Sequence, residues 1–223
     1  MNYRYILFDL DGTIIDSKNG VVAAAKFALN KMGVPETKIV NLDRMIGPPL
    51  KSSFIDFFDL KDEFADTAVR YFREFYREKA IFDYEIYEGM VDVLEMLKRQ
   101  GYTVALATSK PTVFAKRILE KSRLIHLFDC IVGANMDDSH ADKAHIISTV
   151  IKELGIYNPE QAIMIGDRKY DIYGANAVGM ESIGVIYSYG TFEEMQEAGA
   201  SYIVNSVEEL GNLLYSLKNE DDR

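Results

Sequence analysis

Cysteine is nearly absent: one residue, Cys130, in a chain of 223. That excludes an internal disulfide framework and fits a reducing compartment. Positive charge is also scarce, with 25 Lys plus Arg against 35 Asp plus Glu and a net charge of −10. A basic nucleic-acid binder is excluded, and any anionic ligand must be held by local positive features. No apolar run is long enough to span a bilayer, so no membrane partner is expected. The apolar stretch from Tyr5 to Phe8 meets Asp9 too soon for a signal peptide, and a cytoplasmic location is expected. Internal repeats and low-complexity segments are missing as well. What remains is 48% hydrophobic and 27% charged, an ordinary globular composition. At this length about 70% of the unfolded surface is buried on folding, enough for one large core or a core plus a small second unit.

Short apolar runs recur, and several end in polar residues. Tyr5-Ile6-Leu7-Phe8 runs into Asp9, Asp11 and Gly12; Thr103 to Ala107 runs into Thr108-Ser109-Lys110. Phe128 to Gly133 precedes Asn135, Asp137 and Asp138, and Gln161 to Ile165 precedes Gly166-Asp167. Glu181 to Val185 is a fifth run and Tyr202 to Val204 a weak sixth. Each reads as a buried strand. Helical periodicity separates them: Val91, Leu94 and Leu97; Phe114, Ile118 and Leu119, with Pro111 at the first helical position; Ala144 to Leu154; Ile172, Ala175 and Val178; Leu210 to Leu217. Strands alternating with helices predict a parallel sheet with right-handed crossovers.

From Ser17 to about Tyr84 the alternation stops. Val21, Ala25, Ala28 and Met32 share one helical face, and Phe64, Ala68, Phe72, Phe75 and Lys79 mark a long second helix. Between them lie the Gly47-Pro48-Pro49 turn and a short apolar segment, Phe54 to Phe58. The fold class expected is α/β: a doubly wound, Rossmann-like parallel sheet core from residues 1–16 and 85–223, with an inserted all-helical cap at 17–84. The linkers near Asp16-Ser17 and from Tyr84 to Gly89 are the expected hinges. The tail from Lys218 to Arg223 is charged and expected to fray.

In an open parallel sheet, ligands bind beyond the carboxyl ends of the strands. Carboxylates converging there repel one another unless a cation neutralises them, and hard oxygen donors at a partly open site favour Mg²⁺. Taken singly, each Asp is equally a helix cap or a turn residue. Four polar strand ends in succession weaken that reading. Asp9-Leu10-Asp11-Gly12-Thr13 is the most informative pentapeptide. Strand geometry puts Asp9 and Asp11 on one side, so that one can attack while the other handles protons. Gly12 lets the backbone approach a ligand closely.

This pentapeptide resembles the first motif of the haloacid dehalogenase superfamily. Thr108 after its strand is similar to the second motif, Lys143 to the third, and Gly166-Asp167 through Asp171 to the fourth. A helical insertion between the first two motifs is similar to the type-one cap members. The residues around Gly47-Pro48-Pro49, Thr108 to Pro111 and Gly166 to Arg168 resemble the phosphoglycolate phosphatase and nucleotidase-like branch. The resemblance implies a phosphatase, a phosphoric monoester hydrolase. Asp9 is implied to be the nucleophile, forming an aspartyl-phosphate, and Asp11 the acid and then the base. Thr108, Lys143 and backbone N–H groups near Gly12 and Ser109 are implied to grip the phosphoryl oxygens. Mg²⁺ is implied to be held by Asp9, Asp167 and the Asp11 carbonyl, with Asp171 behind them. The substrate implied is a small-molecule phosphate ester, of the phosphoglycolate or nucleoside monophosphate type, and a phosphorylated aromatic is also open. A phosphomutase uses the same motifs and is the alternative. A phosphoryl-accepting receiver module fits less well, because Asp11 and the insertion have no place in one. A monomer or weak homodimer is expected.

Several residues read otherwise. Arg44 and Lys51 flank the Gly-Pro-Pro turn and are substrate-binding candidates, or equally part of a solvated face. His140, Asp142 and His145 match no tight metal-ligand spacing and read as loop and helix positions. Arg168 and Lys169 read as supporting residues. Cys130 reads as buried and inert, and the aromatics Tyr71, Phe72, Phe75 and Tyr76 as packing.

Overall fold

The computed structural model describes residues 3–136 and 141–219. Asp137 and Asp138, read above as a polar strand end, and His140, read as a loop position, lie outside the described residues, as do residues 220–223 of the charged tail. The chain divides into two compact units, Met1–Asp16 with Ile86–Arg223, and Ser17–Glu85.

The larger unit is built on a six-stranded sheet. Its strands are β1 (Tyr5–Phe8), β2 (Thr103–Pro111), β3 (Cys130–Ala134), β4 (Ala162–Gly166), β5 (Glu181–Val185) and β6 (Tyr202–Val204). They pair in the order β3-β2-β1-β4-β5-β6, and every pairing is parallel. Their continuous apolar runs are what a sheet covered on both faces requires. Apart from Tyr5 and Glu181, the β1, β4 and β5 residues are fully buried. The order reverses beside β1, and the crevice outside the strand ends at such a switch point is where ligands bind.

Helices α6 (Lys143–Leu154) and α7 (Lys169–Ala177) cover one face. There Ile146, Ile147, Val150 and Ala175 pack with Leu7, Ala105, Ala107, Val132 and Met164. Right-handed crossovers put α4 (Met90–Arg99) and α5 (Thr112–Lys121) on the other face. Pro111 caps α5 from the N-cap position and is not its first helical residue. A short helix absent from the periodicity reading, α8 (Phe192–Ala198), follows the N-cap Thr191. The last helix, α9, spans Val207–Asn219.

The smaller unit holds α1 (Lys18–Lys31), α2 (Leu50–Phe58) and α3 (Asp62–Phe75). The expected stripe is shifted. Ala65, Ala68, Val69 and Phe72 are buried, whereas Phe64 is 48% exposed. After Phe75 the helix widens into a π-turn, Tyr76–Ala80, which turns Tyr76 and Ala80 inward. The rings pack as the composition suggests, Phe72 on Tyr76 at 5.6 Å and Phe27 on Phe75 at 4.8 Å.

Candidate active site

Three strand ends of the larger unit bring the polar residues together. Asp9 follows β1 directly, and its N–H donates to Ile165 O of β4 at 2.9 Å, which continues the ladder one residue past the strand. The chain then turns sharply. The N–H groups of Ile14 and Ile15 donate to Leu10 O, and Gly12 takes a φ of 77°. A Cβ at Gly12 would overlap the Asp167 carboxylate and the ring of Tyr189. The glycine is therefore needed both for its backbone conformation and for the space it leaves. Its own N–H is engaged by Ile15 O at 2.8 Å.

Asp9, Asp167 and Asp171 each offer a carboxylate oxygen within 4.8 Å of one another, and all three are buried. Asp167 lies just past the end of β4. Asp171 sits in the first turn of α7, where it accepts from the Arg168 N–H at 3.1 Å and completes a capping box. Gly166 leaves room for the Asp171 side chain, since a Cβ there would overlap it. Lys143, the first residue of α6, reaches into the cluster. Its Nζ lies 3.0 Å from Asp9 Oδ1, 2.7 Å from Asp171 Oδ1 and 3.0 Å from the Ala107 carbonyl. Gly174 gives the lysine stem its space, because a Cβ there would meet Lys143 Cγ at 2.7 Å. A lysine in the first turn of a helix opposes the helix dipole, so the anionic cluster, not the helix, accounts for it.

One ammonium among three buried carboxylates leaves a negative excess. Burial pushes the Asp9 carboxyl up to about 6; Lys143 opposes that shift, and Asp171 and Asp11 reinforce it. Burial raises Asp167 well above the usual carboxylate range, and Asp171 and Asp9 add to it. For Lys143, burial works against the charge, but Asp171 and Asp9 outweigh it and hold the amine above its ordinary value. Asp167 Oδ1 is buried with no hydrogen-bond partner. An orphaned oxygen in an all-carboxylate pocket is what a hard divalent cation would satisfy, so the residues present fit Mg²⁺.

The remaining core candidates adjoin this cluster. The Thr108 side chain acts to lower the Asp9 carboxyl, and its Oγ1 accepts from the Lys110 N–H at 3.2 Å. Ser109 Oγ donates to Ala141 O at 3.3 Å, tying the end of β2 to the segment before α6. Asp11 points its carboxylate to Lys110 Nζ at 2.8 Å and takes no part in the three-carboxylate cluster. Arg44 and Lys51 belong to the smaller unit, where each holds protein partners. Arg44 Nη2 donates to Phe57 O at 2.7 Å, and the guanidinium lies over the Phe57 and Phe58 rings. Lys51 Nζ pairs with Asp62 at 3.2 Å and Asp66 at 3.1 Å. Asp142 caps α6 by accepting from the His145 N–H at 3.1 Å. Cys130 is buried, and burial, with a hydrogen bond to Glu153, pushes its thiol up to about 12.

The segment after β5 was missed by sequence reading. Ser188 Oγ donates to Asp167 Oδ2 at 3.1 Å, and the Tyr189 ring abuts Gly12. Tyr189 donates to Asp16 at 2.5 Å, and Tyr187 to Thr13 O at 2.7 Å. Tyr-Ser-Tyr-Gly after a strand reads as a turn, and nothing local in it signals a carboxylate partner 21 residues earlier. Glu194 of α8 braces the segment between β4 and α7 instead, accepting from Arg168 Nε at 3.0 Å and Lys169 N at 2.9 Å.

Known proteins are similar to this chain over most of its length. Residues 6–185 match the family described as haloacid dehalogenase-like hydrolase. A 5'-nucleotidase of Pseudomonas aeruginosa is 34% identical over 196 residues, 88% of each chain. A phosphoglycolate phosphatase of Aliivibrio fischeri is 30% identical over 203 residues, 87% of this chain and 89% of that one. The crystal structure of a predicted phosphatase from Clostridium acetobutylicum superposes with a TM-score of 0.93 at 42% identity, covering 97% of this chain and all of that one. The chain belongs to the haloacid dehalogenase-like hydrolases, with the phosphatases of that family.

Proposed function

We propose that the protein is a Mg²⁺-dependent phosphomonoester hydrolase that works through an aspartyl-phosphate on Asp9. The observation that carries this reading is the buried Asp9–Asp167–Asp171 cluster with Lys143 inserted into it and Asp11 beside it. Asp9, Asp167 and the Asp11 carbonyl would hold the cation, with Asp171 behind them, and the cation would supply the charge that offsets repulsion between a phosphate and the Asp9 carboxylate.

This chain's residues then divide the work. An Asp9 carboxylate oxygen attacks phosphorus while the bond from phosphorus to the ester oxygen breaks. Asp11 gives the departing alkoxide its proton. In the second half, Asp11 takes a proton from water as the water attacks the same phosphorus. The acyl-phosphate bond breaks, and Asp9 and inorganic phosphate are released. The Thr108 hydroxyl and the Lys143 ammonium, both at Asp9, hold the phosphoryl oxygens throughout.

The substrate class proposed is a small phosphorylated metabolite of the phosphoglycolate or nucleoside monophosphate kind, by likeness to the two relatives named above. The single cysteine supports a cytoplasmic setting. The test is phosphate release from p-nitrophenyl phosphate with and without Mg²⁺, followed by a screen of phosphate monoesters ranked by kcat/KM. Metal-dependent release with one of those two classes ranked first supports the reading; no release from any monoester contradicts it.

A further inference from the structure

Lys110 has no part in the scheme above, yet the fold goes to some length to place it. Strand β2 pairs Thr108 with Gly133 and then Pro111 with Ala134. Two residues on β2, Ser109 and Lys110, are thus left out of register against consecutive residues of β3. A bulge of this kind re-aims side chains beside active sites. It has its own supports. A Cβ at Gly133 would overlap the Lys110 carbonyl and meet Thr112 N at 2.9 Å, so a residue without a side chain is required there. The Gly133 N–H, shed from the regular ladder, donates to Thr112 Oγ1 at 2.9 Å. The Lys110 N–H donates to Thr108 Oγ1 at 3.2 Å.

The bulge delivers the Lys110 ammonium to Asp11 Oδ1 at 2.8 Å, with the two side chains only 6% and 13% exposed. Lys143 within the acidic cluster is as enclosed, whereas the surface pair Lys98 with Asp129 is 28% and 39% exposed. An ion pair this enclosed gains little net stability, because desolvation offsets the attraction. Its value is directional. Asp11 lies in the tight turn after β1, and its carboxylate needs an anchor if it is to reach a leaving oxygen and later a water at hydrogen-bond distance.

We propose that Lys110 is a positioning residue whose ammonium anchors the Asp11 carboxylate where it gives and takes protons. The inference rests on the role proposed above for Asp11. It predicts that Lys110 matters when the leaving group needs a proton and acts only through Asp11.

The experiment is single-turnover alcohol release from an alkyl phosphate and from p-nitrophenyl phosphate, with full-length wild type, Lys110→Met, Lys110→Arg, Asp11→Asn and the double variant Lys110→Met/Asp11→Asn. Lys110→Met should slow the alkyl ester about 10- to 100-fold, the scale of a misplaced catalytic group. The nitrophenyl ester should be slowed much less, and the half-saturating ester concentration should stay nearly unchanged. Lys110→Arg should recover much of the alkyl rate. In the Asp11→Asn background, Lys110→Met should cost almost nothing more, the signature of residues acting as one unit. Should Lys110→Met fail to fold, Lys110→Gln carries the same comparisons.

A raised half-saturating concentration with an unchanged rate would make Lys110 a phosphate binder and overturn the inference. Equal slowing of both esters, or full additivity with Asp11→Asn, would overturn it too. If Asp11→Asn itself slows both esters equally, the acid/base reading has failed and takes this inference with it. If Asp11→Asn discriminates between the esters and Lys110→Met does not, this inference alone falls.

Discussion

Neutralising the nucleophile should stabilise the metal-free protein while disabling the enzyme. Burial raises the Asp9 carboxyl from 3.8 to about 6 against the pull of Lys143. That is roughly 2 pH units, and at about 1.4 kcal/mol each the ionised Asp9 costs about 3 kcal/mol at neutral pH. A folded-state value above the unfolded one contributes stability below pH 3.8, and that contribution is lost as pH rises through about 6. Asp9→Asn keeps the shape and removes the charge. In EDTA at pH 7.5 it should raise Tm by up to about 6–12 °C, at roughly 2–4 °C per kcal/mol for a chain this long. At pH 4 the gain should nearly vanish, because the wild-type group is then close to neutral. Mg²⁺ should narrow the difference at pH 7.5 by binding the wild type preferentially. The assay is scanning calorimetry at the two pH values, with and without Mg²⁺. An Asp9→Asn protein that is less stable than wild type at pH 7.5 in EDTA, or equally stabilised at both pH values, would refute the reasoning.

Other outcomes follow from the same geometry. Gly12→Ala puts a Cβ into the Asp167 carboxylate at a positive φ, so it should lower activity at least ~10-fold and weaken the Mg²⁺-induced Tm increase. Lys143→Met removes the ammonium 3.0 Å from Asp9 and 2.7 Å from Asp171, and should destabilise the metal-free protein by about 3–5 kcal/mol in urea unfolding. EDTA should abolish phosphate release and Mg²⁺ restore it, whereas Ca²⁺, with its larger and looser oxygen shell, should inhibit; full turnover without metal would remove the cation from the account.

How much of this was legible in the sequence depended on whether the signal was local. Tyr5 to Phe8 followed by Asp9 places a strand with a carboxylate at its end, whereas Asp11 lies in the turn beyond the strand, where alternation does not set its direction. Ala162 to Gly166 followed by Asp167, and the α6 pattern opened by Lys143, are equally local, and the parallel order of the sheet follows from the alternation. Lys110 was visible only as a neighbour of Thr108, because a bulge depends on the register of β2 against β3 and not on either strand's own pattern. Ser188 reads as a turn residue, since its meaning lies in Asp167 across the fold. Thr191 to Ala198 is too short for a convincing period, although its Thr191 cap accepts from the Glu194 N–H at 3.2 Å. In the helical unit, Phe64 falls on the expected stripe yet is exposed. The face that packs includes Ala65 and Val69 beside the expected Ala68 and Phe72, so it is rotated from the stripe drawn through Phe64.

The central claim is that Asp9 carries the phosphoryl group and Asp11 removes it. Asp11→Asn with p-nitrophenyl phosphate separates the two steps, because nitrophenolate leaves without a proton while the acyl-phosphate still needs a base for its hydrolysis. Quench-flow with enzyme in the micromolar range, followed by mass spectrometry of acid-quenched peptides, reads both. The account predicts a burst of nitrophenolate close to one per active site, then turnover slowed by ~10²–10⁴, the range of lost general-base catalysis, with one phosphoryl group on the peptide containing Asp9. No burst with no phosphorylated peptide, or a phosphoryl group on any other residue, would contradict it.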